Sequence, residues 1–172
     1  RVDLNVFEFA KRCPNLKKFV YASSSEMMSH TAFCPESKSV EIDDISNPRW
    51  SYKLSKMVGE NYLHNSDIPW VIVRYFNVYG PREMLGAGRW RGTPATVWRN
   101  VTPTFVWRAL NNLSIRLDNN GNSTRDFIYV SDLVDGLIAL MNNEKTIGPV
   151  NLGNPNELNM LDLAEKVINL TG

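Results

Sequence analysis

The sequence predicts an α/β protein with a parallel β-sheet whose strands are joined by crossover helices. Two observations predict this class. The first half of the chain alternates between helical periodicity and short apolar segments, in the order helix, strand, loop, helix, strand. That order is typical of a parallel sheet, because parallel neighbours need a crossover that is usually a helix. The apolar segments, residues 19–22 and 70–76, are bounded by polar or turn-forming residues, which indicates strands buried on both faces.

The remaining elements follow from periodicity and punctuation. A first helix is predicted over residues 1–12, where apolar side chains recur at helical spacing before Pro14. Residues 29–50 are rich in Ser, Pro and Asp without periodicity, which predicts a loop, and Ser51 or a neighbour opens a helix from about residue 52 to 63. Further on, the sequence predicts an irregular stretch (82–103), a helix (104–110), a strand (127–130), a helix capped by Ser131 or Asp132, an extended piece (150–153) and a last helix between Asn159 as cap and Gly172 as stop.

Length and composition fit one domain of a soluble globular protein. The chain has 172 residues, of which 43% are hydrophobic and 22% charged, and this excludes disorder, a collagen-like repeat and a disulfide scaffold. The formal net charge of +1 does not indicate a nucleic acid or a membrane surface as partner. No apolar run approaches the ~20 residues of a membrane-spanning helix. Cys13 and Cys34 are interpreted as reduced thiols, no signal peptide is visible, and the expected location is the cytoplasm.

Tyr52 and Lys56 are the first candidates for chemistry. Their spacing of four puts both side chains on one face of the predicted helix. An ammonium group near a phenol favours the phenolate, which can take a proton from an alcohol or a sugar hydroxyl. A Tyr–Lys pair on an ordinary helix surface is the alternative for these two residues taken alone.

Polar side chains also follow both predicted strands. Ser23, Ser24, Ser25 and Glu26 follow the first strand, and Asn77 follows the second. Ligands bind at the carboxyl ends of strands in open parallel sheets, so these groups are expected near the helix that carries the Tyr–Lys pair. The alternative for the serines is a turn that satisfies its own backbone.

Four motifs in a fixed order give the chain a family resemblance. They are residues 19–26 (FVYASSSE), 51–56 (SYKLSK), 74–82 (RYFNVYGPR) and 125–133 (RDFIYVSDL), followed by residues 150–155 (VNLGNP). In these motifs the chain resembles the NAD-dependent nucleotide-sugar epimerase/dehydratase family of the extended short-chain dehydrogenase/reductase superfamily. The resemblance spans nearly the whole chain and implies the C-terminal part of a Rossmann-like doubly wound sheet with a partial, smaller α/β substrate-binding region.

The resemblance implies an enzyme and assigns roles in it. Tyr52 would remove a proton from the sugar 4-hydroxyl as a hydride passes to NAD, Lys56 would hold the nicotinamide ribose and stabilise the phenolate, and Ser24 would hydrogen-bond the same hydroxyl. Further contacts with NAD are implied for Ser23, Tyr75 and Val78, and contacts with a nucleoside-diphosphate sugar for Asn77, Arg82, Thr104 and Arg125. No metal is expected, and a homodimer through the helices that flank the sheet is implied.

The resemblance also marks what this chain lacks. Family members begin with a strand and a G-x-x-G-x-x-G turn that holds the NAD pyrophosphate, and neither precedes Arg1. We therefore expect a piece of a longer protein, inactive by itself. Residues 1–81 would be the catalytic half of the NAD-binding domain, and residues 82–172 mostly a substrate-binding region, with segments around 125–153 returning to the main domain.

The sequence allows more than one reaction after oxidation at C4. Epimerisation through a 4-keto intermediate is the first expectation. A 4,6-dehydratase or a nucleoside-diphosphate-glucuronate decarboxylase is the alternative, because Ser24, Ser25 and Glu26 resemble the catalytic residues of those branches, with Glu26 as a base and Ser25 in the place of the dehydratase's acidic proton donor. A non-catalytic nucleotide-binding member is a second alternative, which the complete set of Ser24, Tyr52 and Lys56 argues against.

Residues 82–108 form a basic and aromatic segment. Five arginines alternate with three tryptophans there: Arg82, Arg89, Arg91, Arg99, Arg108, Trp90, Trp98 and Trp107. Such interleaving is found in proteins that bind single-stranded nucleic acid. A loop that closes over an anionic nucleotide sugar, or a packed structural loop, explains the same residues, and no nucleic-acid partner is expected.

Overall fold

The structure of the chain is a computed structural model that describes residues 2–28, 35–37, 46, 50–83, 100–146 and 148–172. In chain order its helices are α1 (Val2–Lys11), α2 (Trp50–His64), α3 (Val101–Leu110), α4 (Val130–Asn142) and α5 (Met160–Thr171). Its strands are β1 (Phe19–Ser24), β2 (Trp70–Tyr75), β3 (Asn77–Tyr79), β4 (Thr124–Arg125), β5 (Phe127–Tyr129), β6 (Pro149–Leu152) and β7 (Leu158–Asn159). Single 3-10 turns cover Ser25–Met27 and Asp118–Gly121.

By their internal contacts the residues form two units. Unit 1 comprises Arg1–Phe76 and Ser131–Gly153, and unit 2 comprises Asn77–Val130 and Asn154–Gly172. Each unit is therefore assembled from two separate segments of the chain.

Unit 1 contains a parallel sheet in the order β1-β2-β6. Tyr21 pairs with Ile72, and Val73 pairs with Val150. The predicted α/β class with parallel strands is thus confirmed, with α2 as the crossover between β1 and β2. Because both neighbouring strands run in the same direction as β2, their carboxyl ends meet at one edge of this sheet.

Burial differs between the two predicted strands. The interior of β2 is fully buried, as predicted, although it includes the charged Arg74. In β1, Tyr21 and Ser23 are buried whereas Ala22 between them is exposed, so the prediction of burial on both faces is wrong for β1. Successive side chains of a strand point to opposite faces, and the described residues fully cover only one face of β1.

The core of unit 1 is an aromatic cluster between α1, α2 and the sheet. Phe7 of α1 is 1% exposed, and its ring centre lies 4.9 Å from that of Tyr62 and 5.5 Å from that of Tyr21. Leu63 of α2 and Ile72 of β2 belong to the same cluster and are inaccessible to solvent. Burial of each large side chain contributes roughly 1.5–3 kcal/mol, and this packing fixes α2 against β1.

We expect Gly59→Ala to destabilise the protein by about 1–3 kcal/mol, because overpacking of a dense core is costly. A Cβ at Gly59 would overlap the hydroxyl oxygen of Tyr21 and lie 2.5 Å from the ring carbon that bears it. The Tyr21 ring is 5% exposed and packs against Phe7, so it has little room to move away from the added methyl group. Urea denaturation measures the effect, with Asn61→Ala on the exposed face of α2 as control. A loss no larger than that of the control would contradict this tight helix–strand contact.

Unit 2 has two short two-stranded sheets and a helix pair. Strands β3 and β5 are parallel, and β4 and β7 are antiparallel. Phe105 of α3 packs with Ala164 and Val167 of α5 in a second buried cluster. The sequence predicts no strand at residues 77–79, because these residues were interpreted as the end of the preceding strand.

The starts of α3 and α4 in the structure differ from the predicted starts. Helix α3 begins three residues earlier than predicted and contains Pro103 in its first turn, where a missing backbone N–H costs little. Helix α4 begins at Val130, so Ser131 lies inside it and donates its hydroxyl to Asp132 rather than capping the helix. The prediction for α5 is confirmed, since the side chain of Asn159 accepts the Asp162 N–H at 2.7 Å.

Candidate functional site

The Tyr52–Lys56 pair lies on α2 beside the carboxyl end of β1. The Lys56 ammonium donates to the Ala22 carbonyl at 2.8 Å and lies 5.8 Å from the ring centre of Tyr52. Its other near neighbour is the Tyr21 ring, 5.3 Å away. Tyr52 itself is 48% exposed, so its side chain is accessible to a ligand. The predicted proximity of these two side chains is therefore present in the folded helix.

Strand β1 extends to Ser24, two residues further than predicted, and Ser25 begins the 3-10 turn, which packs against α2. The Ser24 hydroxyl oxygen accepts the Glu26 N–H at 3.2 Å. This is the local turn hydrogen bond that the alternative interpretation of the three serines predicts. This bond leaves the hydroxyl proton of Ser24 available to a ligand, because a hydroxyl is both donor and acceptor. Ser24 and Ser25 are half-buried and Glu26 is exposed.

Ser23 has a different environment from its neighbours. It is 3% exposed, and its hydroxyl donates to Glu60 at 2.5 Å. The same carboxylate receives two bonds from the guanidinium of Arg74, at 3.1 and 2.8 Å. A cofactor at this strand end would consequently meet the backbone of Ser23 and not its hydroxyl.

This buried Glu60–Arg74 pair was not predicted from the sequence. Both side chains are at most 6% exposed. Two signals were available: Arg74 is the one charged residue in the β2 sequence, and Glu60 lies one helical turn beyond Lys56 on the same face of α2. Buried charges require partners, so a charged residue in an apolar strand predicts an opposite charge nearby.

Tyr75 ends β2 and is half-buried, and its burial raises the pKa of the phenol. Val78, the other residue predicted against the nicotinamide, lies in β3 of unit 2 and is half-buried. Arg82 is exposed and has a left-handed backbone with φ of 70°. It is not among the described residues that line the cavity of unit 2.

Unit 2 contains a cavity of about 550 Å³ that brings together three of the predicted substrate residues, Asn77, Thr104 and Arg125. The side-chain amide of Asn77 donates to the Asp126 carbonyl at 2.8 Å, and the hydroxyl of Thr104 donates to the Asn100 carbonyl at 2.6 Å. Val78, which was predicted to contact the nicotinamide, also lines this cavity. The other lining residues were not selected from the sequence: Glu83, Asn100, Val101, Thr102, Phe105, Arg116, Leu117, Asp118, Ser123, Phe127 and Met160.

The N-terminus of α3 opens into this cavity without a side-chain cap. Asn100 occupies the N-cap position, yet its side chain makes no cap hydrogen bond and instead bonds to Glu83. The backbone N–H groups of a first helical turn lack partners within the helix and carry partial positive charge. Arg116 and Arg125 also line the cavity, and helix N-termini and guanidinium groups are both suited to anions.

Some predictions fall on residues outside those described. They are most of the loop at 29–50, Cys34, and the part of the basic segment that contains Arg89, Trp90, Arg91, Trp98 and Arg99. Among the described residues, no cluster of three or more His, Cys, Asp or Glu side chains is arranged to hold a metal ion. The helices within the described ranges are all too short or too polar to cross a membrane.

Comparison with known proteins identifies the family. Residues 1–153 match the model of the NAD dependent epimerase/dehydratase family, and the chain belongs to that family. Over 170 residues it is 35% identical to UDP-glucuronic acid decarboxylase 1 of Arabidopsis thaliana, covering 95% of this chain and 36% of the relative.

Solved structures agree with this assignment. The Bordetella bronchiseptica enzyme WbmF in complex with NAD+ and UDP superimposes with a TM-score of 0.79 at 40% identity, over 98% of this chain and 48% of that one. The UDP-N-acetylglucosamine 4-epimerase of Methanobrevibacter ruminantium, in complex with UDP-N-acetylmuramic acid, gives 0.75 at 26% identity, over 95% and 49%. This chain spans less than half the length of each of these three relatives.

Proposed function

We propose that the protein is an NAD-dependent enzyme that acts on C4 of a nucleoside-diphosphate sugar through a 4-keto intermediate. The observation that carries this proposal is the position of Lys56, whose ammonium lies at the carboxyl end of β1 and near the Tyr52 ring. The NAD-bound structures of relatives support the same cofactor for this protein.

In this proposal Tyr52 is the general base. The hydroxyl of this exposed side chain takes the proton of the sugar 4-hydroxyl, and the ammonium of Lys56 stabilises the resulting phenolate. Ser24 donates its remaining hydroxyl proton and orients the same sugar oxygen. When bound, NAD supplies the hydride acceptor. One N–H of Lys56 is bonded to Ala22, and its two others are available to ribose hydroxyls, so these residues fit the cofactor.

We propose that unit 2 binds the nucleotide of the substrate. The diphosphate would lie at the N-terminus of α3, paired with Arg125 and Arg116, and the base would contact apolar residues such as Phe105 and Leu117. Unit 1 would correspond to the catalytic half of the NAD-binding domain, and unit 2 to the substrate-binding region. The UDP in the WbmF complex supports a uridine nucleotide.

Epimerisation remains our first choice of reaction, and decarboxylation of a nucleoside-diphosphate glucuronate is the second. The second is favoured by the 35% identity to a UDP-glucuronic acid decarboxylase and by the exposed carboxylate of Glu26, two residues after Ser24 in the turn beside α2. The first is favoured by the epimerase structure. Ser25 argues against a dehydratase, because a serine cannot supply the proton of that enzyme's acidic donor.

Product masses separate these reactions. The whole protein with NAD is incubated with UDP-glucuronic acid, UDP-N-acetylglucosamine and UDP-glucose, and the products are measured by mass spectrometry and chromatography. An epimerase gives a product of unchanged mass with a new retention time, a decarboxylase loses carbon dioxide, and a dehydratase loses water. If none of the three substrates changes and none binds, the proposed substrate class is wrong.

A second copy of the protein is the proposed partner. Helices α1 and α2 expose apolar side chains, with Phe9 69% and Val58 60% accessible. Burial of such side chains between two copies would be favourable, and the family resemblance implies a dimer through these helices. Sedimentation of the whole protein tests this, since a strict monomer at micromolar concentration would contradict it.

A further inference from the structure

We propose that Glu83 recognises a hydrogen-bond donor on C2 of the substrate sugar, and so selects sugars with a hydroxyl or an amide N–H at that carbon. This inference rests on the proposed binding of a nucleoside-diphosphate sugar in the cavity of unit 2. It adds a specificity-determining residue to that site and a requirement on the substrate.

A tight turn fixes the direction of Glu83. The Glu83 N–H donates to the Gly80 carbonyl at 3.3 Å, with Pro81 and Arg82 as the central residues of the turn. Arg82 adopts the left-handed conformation that the second central position requires, although it is not glycine. The backbone thereby places the Glu83 side chain along the cavity wall, where it is half-buried.

Asn100 connects Glu83 to the proposed phosphate site. An Asn at an N-cap normally accepts an N–H of its own helix, but the Asn100 side chain bonds to Glu83 instead. The carboxyl group consequently lies beside the residue that begins α3. Burial has removed water from this carboxyl and raises its pKa, and the Asn100 bond opposes that change only in part.

A carboxylate next to a diphosphate repels it unless a donor lies between them. On the nucleoside side, the atom nearest to the phosphates is the C5′ methylene, which donates nothing. On the sugar side, C2 is one bond from the anomeric carbon that carries the phosphate, and its hydroxyl or amide N–H is the nearest donor. An acceptor oxygen on Glu83 therefore matches the C2 substituent.

The test compares binding of UDP with binding of a UDP-sugar. Calorimetry on the whole protein, in a Tyr52→Phe background that prevents turnover, uses UDP, UDP-glucuronic acid and UDP-N-acetylglucosamine as probes. We expect Glu83→Leu to weaken binding of a UDP-sugar by about tenfold, the usual effect of losing a charged hydrogen bond, and to leave binding of UDP within about twofold. Glu83→Gln keeps an acceptor oxygen and should retain most of the affinity.

The outcomes distinguish failure of this inference from failure of the proposed function on which it rests. If the parent binds UDP-sugars and Glu83→Leu weakens UDP as much as the UDP-sugar, Glu83 acts on the cavity as a whole and the inference is wrong. Equal affinity of Glu83→Leu and the parent for UDP-sugars would also overturn it. If the Tyr52→Phe parent binds neither UDP nor a UDP-sugar, the proposed function fails first and the inference fails with it.

Discussion

Replacement of Tyr52 by Phe is expected to lower kcat by about 10²–10⁴-fold, because it removes the group that takes the proton of the sugar hydroxyl. The ring and its contact with the Lys56 ammonium, 5.8 Å from the ring centre, remain in the variant. We therefore expect the dissociation constant of the substrate to change by less than about threefold, as for an interaction made only in the transition state.

Tyr62→Phe is the matched control for this experiment. Tyr62 lies on the same helix, and its hydroxyl donates to Glu8 of α1, so the same atom is removed at a place without a proposed role in catalysis. Steady-state kinetics and equilibrium binding measure both variants. Turnover by Tyr52→Phe at the level of Tyr62→Phe would show that Tyr52 is not the base.

Glu60→Leu is expected to destabilise the protein by about 3–5 kcal/mol, the usual cost of leaving a buried charge without its partner. It leaves the guanidinium of Arg74 unpaired inside the protein, with one bond of 3.4 Å to the Glu36 carbonyl. The hydroxyl of Ser23 loses its acceptor in the same variant. Urea denaturation monitored by circular dichroism gives the free energy of unfolding.

An apolar replacement of the whole network separates charge from packing. The triple variant Ser23→Ala, Glu60→Leu, Arg74→Met removes both charges and the hydroxyl together. It should recover at least about half of the stability that Glu60→Leu loses, since a pair replaced by apolar groups leaves no buried ion. A triple variant as unstable as the single one would indicate that shape and not charge explains the loss.

The contrast between Tyr52 and Glu60 explains what the sequence could predict. Tyr52, Lys56 and the serines at the carboxyl end of β1 lie in short motifs, so local spacing and the family resemblance were enough to select them. The pair of Glu60 with Arg74 joins a helix to a strand, and its geometry depends on how α2 packs across the sheet. A single sequence contains no direct signal for such a pairing.

Strands of two or three residues are also difficult to predict from a single sequence. The long periodic helices α2 and α5 were predicted within two residues at each end, because several turns share one apolar face. Strands β3, β4 and β7 have two or three residues each, and only their partners distant in sequence define them. For that reason the cavity residue Glu83, which follows β3, could not be selected from spacing alone.

The division of unit 1 into two chain segments has a consequence for how the protein folds. Pairing of Ile72 with Pro149 closes a loop of more than 70 residues. The bond from Lys18 to the Thr146 carbonyl, beyond the end of α4, closes an even longer loop. Closing such loops loses much chain entropy before any contact is gained, so a high contact order predicts slow folding. Strands β1 and β2 can pair early during synthesis, whereas one edge of β2 stays open until β6 has emerged from the ribosome. Newly made chains are thus expected to depend on chaperones during that interval, when an unpaired strand edge favours aggregation.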